Sequence, residues 1–356
     1  MKVIFLGRYN PSEFLSGPEK VARRIFSMHA LENETEFITY FFDGNQHGLW
    51  KKLFGHETMA MENKSRIVRC GIVNVLFRLM TQRPEVIHII NYERFAKAAL
   101  IFKKFSKARI IYTVHGIAAY ENSNFKSVPA KYMENDLKTE ASLFKYSDKI
   151  VFLSEQSLQI AESIYEIDRS KCVVLPNGVD EVFYCKSPKD FDSITLELVF
   201  IGNIERKEKG FEILKNALSC LEIGYRLHVI NSGRKGTEGR IFFHESMNKK
   251  ELASFLADKH IFISSGSYEP FSLSAVEAMA SGLVAIVSRD TGMSRYIENG
   301  INGFVYDTID AQQISRIINQ LKSNRLLLGT ISGEAKKIYF TLSWSKVYEL
   351  YKDLYK

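Results

Sequence analysis

Two carboxylates, Glu269 and Glu277, flank the start of a helix in the stretch EPFSLSAVEAMASG, which runs from Glu269 to Gly282. The free amides of a helix N-terminus attract anions without needing a cation, so acids on both sides of one call for a reason. Ser274-x-x-Glu277 reads as a capping box, the serine accepting from the N3 amide and the glutamate reaching back. That accounts for Glu277 and leaves Glu269, in the loop before the helix, without a role. The apolar run IFISS ends at Ser265, so the unit is strand, turn, helix. In such a unit the amides of Phe271, Ser272, Leu273 and Ser274 would point at a bound phosphate. Five further residues invite the same question. Lys209 lies in EKG before a predicted helix, with Arg206 just upstream; taken alone it is a solvated charge in a charged run. His115 follows the strand-like RIIYTV and precedes Gly116; taken alone it is an ordinary strand-end histidine. Gly17 is a turn glycine, and His88, inside EVIHII, reads as structural.

The elements that must position these groups come in two similar series. KVIFLG, EFITYFF, EVIHII, RIIYTVHG, KIVFLS and CVVLP are short apolar runs with helical segments between most of them. This alternation predicts a parallel sheet with helices on both faces. A stretch of turn and charged residues without periodicity follows, and a second series begins: LELVFIG, YRLHVI, RIFFHE, KHIFISS, LVAIVS. The expected division is a first domain over 1–180, a linker over 181–193, a second domain over 194–342 and a terminal segment over 343–356. At 356 residues the chain suits two domains of ordinary size. With 46% hydrophobic and 25% charged residues it has a globular composition. Ligands in open sheets of this class bind beyond the carboxyl ends of the strands, and between two facing domains the natural place is a central cleft.

Several classes drop out. Neither first turn carries G-x-G-x-x-G, which disfavours a nicotinamide dehydrogenase. The cysteines, at 70, 172, 185 and 220, form no C-x-x-C and have no histidine at zinc spacing. The charge of +7 suits anionic partners, but no nucleic-acid-binding motif accompanies it, so nucleic acid is not expected. No signal peptide is apparent, and a cytoplasmic location is expected. LWKKLFGHETMAMENKSRIVRCGIVNVLFRLMTQR and AKAALIFKKFSKAR mix basic and apolar residues. They read either as amphipathic helices packed on the sheet or as a face for peripheral contact with an anionic membrane, at its inner side. The only Asp-x-Asp, Asp190-Phe191-Asp192, falls in the linker and reads as a solvated loop, so no metal site is expected.

At this point the residues resemble a family: the retaining glycosyltransferases of family 4, with the GT-B fold, of the kind found in bacterial surface-polysaccharide assembly. The pattern that carries the resemblance is Glu-x7-Glu, Glu269 to Glu277, with FLSGPEKVA, TVHG, LPNGVD, FIGNIERKEKG and SWSKVYELY matching elsewhere. It implies two doubly wound Rossmann-like domains facing a central cleft. The donor it implies is a nucleoside diphosphate sugar, UDP- or GDP-linked, used without any other cofactor; the acceptor is a hydroxyl of a glycan or lipid-linked molecule. By the same resemblance Glu277 would bind the ribose hydroxyls, Glu269 and His115 would face the donor sugar, and Lys209 would neutralise the diphosphate. Gly17 would let the first helix approach the diphosphate and acceptor. The terminal SWSKVYELYKDLYK would form a helix crossing back to the first domain.

The sequence also departs from the family. Asn203 stands after Gly202 where the family usually has arginine, which throws weight onto Lys209 and, as a guanidinium clamp, Arg206. Asn231 replaces a common glycine, and Arg295 a common glutamate. Alternatives of other classes are a GT-B nucleotide-sugar epimerase, a phosphorylase and a non-catalytic sugar-binding protein.

Overall fold

The computed structural model describes residues 1–10, 15–41, 48–90, 95–125, 130–187, 189–191, 195–221, 224–307 and 310–356, without the side chains of 130–133, 135 and 136. The chain forms two compact units, Met1–Pro176 with Tyr348–Lys356, and Asn177–Val347.

The first unit has eight strands: β1 (Val3–Gly7), β2 (Glu36–Tyr40), β3 (His56–Glu62), β4 (Ser65–Cys70), β5 (Val86–Ile90), β6 (Arg109–Val114), β7 (Lys149–Phe152) and β8 (Cys172–Val174). Their order in the sheet is β3-β4-β2-β1-β5-β6-β7-β8. Every pairing is parallel except β3 with β4. Strands covered on both faces need apolar residues at consecutive positions, and VIFLG and VIHII are buried throughout. Ile4, Leu6, Ile38, Ile87, Ile89, Ile110 and Phe152 belong to one apolar cluster.

The sheet is therefore mixed rather than purely parallel. The stretch from His56 to Cys70 is a hairpin, not part of an amphipathic helix. Glu62 pairs with Ser65 across a two-residue turn in which Asn63 has φ 54°. Asparagine tolerates that left-handed conformation, and two-residue turns with positive φ match the twist of paired strands.

The last nine residues, Tyr348–Lys356, belong to this first unit, at the end of a helix spanning Trp344–Tyr355. Three buried tyrosines fasten them. The Tyr348 hydroxyl is 2.8 Å from His29 Nδ1, and that of Tyr355 is 2.9 Å from His88 Nδ1. Tyr351 stacks on the His88 ring, whose Nε2 meets Thr113 Oγ1 at 2.8 Å. His88 is thus a fully bonded core residue.

The second unit repeats the plan with β9 (Leu196–Ile201), β10 (Tyr225–Ile230), β11 (Gly236–Glu238), β12 (Ile241–His244), β13 (Ile261–Ser264), β14 (Val284–Ser288) and β15 (Gly303–Tyr306). The order is β11-β12-β10-β9-β13-β14-β15, again parallel but for the edge pair β11 with β12. The segment read as a linker packs into this unit instead. Phe183 is buried, its carbonyl accepts from Ser281 Oγ at 3.1 Å, and the Cys185 amide donates to Ala280 O at 3.2 Å. Of the Asp190-Phe191-Asp192 triplet, Asp192 lies outside the described residues, and Phe191 packs against the core and the His260 ring. The described part is therefore not a wholly solvated loop.

Candidate active site

In the second unit the expected residues gather at the carboxyl ends of β9, β13 and β14. After β9 the chain passes Gly202 and makes a tight turn in which Asn203 Oδ1 accepts from the Glu205 amide at 2.9 Å. It then coils through the short 3-10 turn Lys207–Lys209 and reaches Gly210. Gly210 has φ 70°, and a Cβ there would stand 1.9 Å from the Ser265 carbonyl oxygen, so only glycine fits. Ser265 Oγ donates to Gly210 O at 2.8 Å, and the Ser267 amide donates to Glu208 O at 3.0 Å. These bonds staple the turn after β9 to the loop after β13. Lys209 is held with its stem over Gly202 and its Nζ in an ion pair with Glu269.

Glu269 is fixed from the other side. Its amide donates to Asp290 O at 3.2 Å, and its carbonyl accepts from Gly292 N at 2.9 Å, in the loop after β14. Both members of the ion pair are about a quarter exposed, at 24% and 22%. Charges so placed are more strongly coupled than a surface pair, and both remain partly open to solvent.

The helix spans Leu273–Ala280, and its N-cap is Ser272 rather than Ser274. Ser272 Oγ accepts from the Ala275 amide at 3.3 Å. Counting from Ser272, Glu277 is the fifth helical residue, two past the position from which a side chain reaches back to the cap, so the capping-box reading is wrong. The sequence offers serines at both 272 and 274, and the deciding fact is conformational: Ser272 has φ 79°, ψ 84°. A left-handed non-glycine residue is strained, and such residues cluster at ligand clamps. No partner is seen among the described residues for the amides of Leu273 and Ser274. Phe271 turns its ring inward toward Tyr296, with centroids 6.3 Å apart. Glu277 is buried in the second turn.

Arg206 does not join this group. Its Nε donates to the buried Glu208 at 2.6 Å, leaving Lys209 as the cation that meets Glu269. Asn231 has φ 59°, which explains why glycine suits that position, and its Oδ1 accepts from Ser246 Oγ at 2.7 Å. Arg295 lies over the Tyr296 ring, 5.2 Å from its centroid. Sequence reasoning missed Glu208, Asp290 and Gly292, which place the ion pair through backbone bonds, and Ser265, which does so through its hydroxyl. The glycines at 210, 266 and 292, each too crowded for a Cβ, were the available signal.

In the first unit His115 follows β6 and is half-buried, with its Nε2 enclosed and without a hydrogen-bond partner. Burial lowers its pKa from 6.5 to about 3, so the imidazole is neutral at ordinary pH. The corner is set by the buried Glu140, which accepts from the amides of Ala118 at 2.8 Å and Ala119 at 3.2 Å and from Tyr165 Oη at 2.7 Å. Burial raises the Glu140 pKa against those bonds. Gly17 is the first residue of the helix Gly17–Glu32, capped by Ser16, whose amide donates to Glu19 Oε2 at 2.9 Å. Part of the loop before it, 11–14, lies outside the described residues.

Residues 23–183 match the family model Glycosyltransferase Family 4, and residues 189–338 match the model Glycosyl transferases group 1. With two Rossmann-like units, the chain is a glycosyltransferase of the GT-B fold. A probable sucrose-phosphate synthase of Thermosipho melanesiensis is 24% identical over 72% of this chain, which spans 66% of that enzyme's length. Among solved structures, sucrose-phosphate synthase from Thermosynechococcus elongatus superposes with a TM-score of 0.76 at 15% identity, covering 100% of this chain and 98% of the other. HepE of Anabaena, in complex with UDP-glucose, superposes with a TM-score of 0.74 at 16% identity, covering 99% of each chain.

Proposed function

We propose that the enzyme moves a sugar from a nucleoside diphosphate sugar to an acceptor hydroxyl with retention at the anomeric carbon. The observation that carries this reading is the Lys209–Glu269 ion pair in the same loop system as the unpartnered amides of Leu273 and Ser274. In this reading those amides and Lys209 hold the diphosphate, Glu277 takes the ribose hydroxyls and Glu269 the donor sugar. His115, a neutral imidazole with an unsatisfied nitrogen, hydrogen-bonds the sugar. HepE was solved with UDP-glucose, so UDP-sugars come first as donors here, with GDP-sugars next; the acceptor is a glycan or a lipid-linked molecule.

The step has simple bookkeeping. The acceptor oxygen bonds the anomeric carbon as the bond from that carbon to the diphosphate oxygen breaks. The electron pair stays on the diphosphate, which takes the acceptor proton from the same face. No carboxylate is assigned as a covalent nucleophile. Lys209 and the amides stabilise charge growing on the leaving group, the kind of preorganised electrostatics that contributes most to such reactions. Mass spectrometry after incubation with a panel of UDP- and GDP-sugars, with and without glycan and lipid-linked acceptors, tests the proposal. It expects one donor to lose its sugar to an acceptor. Conversion of a donor to its epimer without acceptor, or binding without turnover on every acceptor class, would replace it with the epimerase or the sugar-binding reading.

A further inference from the structure

His115, the residue of the first unit that the proposed chemistry uses, stands in a very short corner. β6 ends at Val114, then come His115, Gly116 and Ile117, and a helix runs over Ala118–Asn124. No hydrogen bond to Nε2 holds the imidazole, so its aim depends on the backbone. With the strand fixed in the sheet, that backbone follows the first turn of the helix. Ile117, the residue before the helix, is fully buried and offers no side-chain acceptor to the first amides. A serine or aspartate there would satisfy them locally. They are satisfied instead from a second helix, Ala130–Tyr146: Glu140 Oε1 accepts from Ala118 N at 2.8 Å and Oε2 from Ala119 N at 3.2 Å. A third helix joins through Tyr165, which closes Glu155–Ile164. Its hydroxyl donates to Glu140 Oε2 at 2.7 Å, and its ring packs on Phe144 with centroids 5.0 Å apart.

Glu140 is wholly buried, and among the described residues no lysine or arginine pairs with it. Burying a carboxylate without a cation is costly. A helix of seven residues that needed only a cap would not require it. What the carboxylate adds is direction: all three partners donate, and an ionised carboxylate only accepts. Burial pushes its pKa up, the three hydrogen bonds push it back, and the Glu121 carboxylate adds a weaker upward push. Glu121 also lies against the corner itself, since a Cβ on Gly116 would stand 2.0 Å from its Oε1.

We propose that Glu140, braced by Tyr165, is a positioning residue for the transfer: it holds the first turn of the helix and thereby aims His115 at the donor sugar. The inference rests on the proposed role of His115, and the two can fail separately. Glu140→Gln keeps the volume but turns an amide N–H toward groups that themselves donate. It should lower kcat about tenfold to a hundredfold, the scale of moving a reacting group by about 1 Å, and leave the calorimetric affinity for UDP or GDP unchanged. The decisive measurement is a double-mutant cycle with the donor and acceptor that the mass-spectrometric panel identifies. If Glu140 acts through the imidazole, Glu140→Gln should cost at most about twofold more in a His115→Gln background, because effects on one pathway do not add. Tyr165→Phe keeps the ring against Phe144 and removes one donor; it should show a smaller loss of the same kind, and it serves if Glu140→Gln does not fold. NMR of the histidine-labelled chain needs no substrate: the His115 ring signals should move in both variants while those of His29 and His88 stay. Should His115→Gln leave kcat intact, the role given to the histidine falls, and this inference with it. Should His115→Gln slow the enzyme while folded Glu140→Gln or Tyr165→Phe leaves kcat and the His115 signals unchanged, the positioning role alone is overturned. Losses that multiply in full in the double variants overturn it as well.

Discussion

Ser272 carries the tension of the site in one residue. Its side chain caps the helix, which is worth about 1 kcal/mol, while its positive φ costs about 1–2 kcal/mol that glycine would not incur. Ser272→Gly loses only a few tenths of the cap and removes the strain, so its thermal midpoint should equal or exceed that of the parent. Ser272→Ala keeps the strain and loses the cap, and should unfold at a lower temperature. If both variants fall together, the backbone at 272 is not strained as described. Lys209 makes a second prediction at this scale. Deleting a preorganised partner of a leaving group costs about a hundredfold in kcat, and Lys209→Ala should show that loss with a smaller change in donor affinity. Arg206, tied to Glu208, should tolerate alanine; steady-state kinetics on both variants decides which cation serves the diphosphate. Glu269 stood out in the sequence because a capping box left it without a role, whereas Lys209, a solvated charge when taken alone, was singled out only through the family resemblance; the fold pairs the two. The cap was not legible, since two serines at neighbouring positions obey the same rule and only backbone dihedrals separate them.

At the scale of elements, the alternation of apolar runs and helical segments was readable because strands covered on both faces must be apolar at every position. The hairpin from His56 to Cys70 was hidden by its exposure: an edge strand with a solvated face shows little periodicity, and its turn rests on Asn63 alone. The C-terminal tyrosines likewise read as a helical stripe, with nothing to show that His29 and His88 receive them. These histidines bring a pH prediction. Burial lowers His29 to about 4 and His88 to about 3, from 6.5 when unfolded. Below pH 6.5 the unfolded chain binds protons that the folded one refuses. Stability therefore falls as pH drops from about 6.5 toward 4, each histidine adding at most about 1.4 kcal/mol per pH unit, and above 6.5 these two groups contribute no slope. Urea unfolding at a series of pH values should show this fall, and His88→Gln, which retains a donor and an acceptor, should make it shallower. An unchanged slope in that variant would mean His88 is accessible to protons in the folded chain.

For the whole molecule, two repeats of one plan serve different chemistry. The second unit gathers a cation, a carboxylate pair and free helix amides; the first offers a neutral histidine at a corner tied by a buried carboxylate. The sequence conveyed that duplication through its two series of strands. It did not convey where the second unit begins, because residues 181–187 look like a linker in composition and become part of that unit through buried Phe183, the Cys185 amide bonded to Ala280 and the Phe183 carbonyl bonded to the Ser281 hydroxyl. With Lys209 and the amides as the electrostatic partners of the diphosphate, turnover should persist in EDTA; loss on chelation with recovery in magnesium or manganese would refute that scheme. The central claim is that the loop system around Glu269 and Glu277 holds a nucleoside diphosphate. Titration calorimetry of UDP and GDP against the parent chain and Glu277→Ala tests it most directly. One diphosphate should bind the parent in EDTA, and the folded variant should bind it more weakly by about 1.5–3 kcal/mol, the worth of a hydrogen bond to a charged group. Equal affinity in parent and variant, or no binding of either nucleotide, would contradict the account.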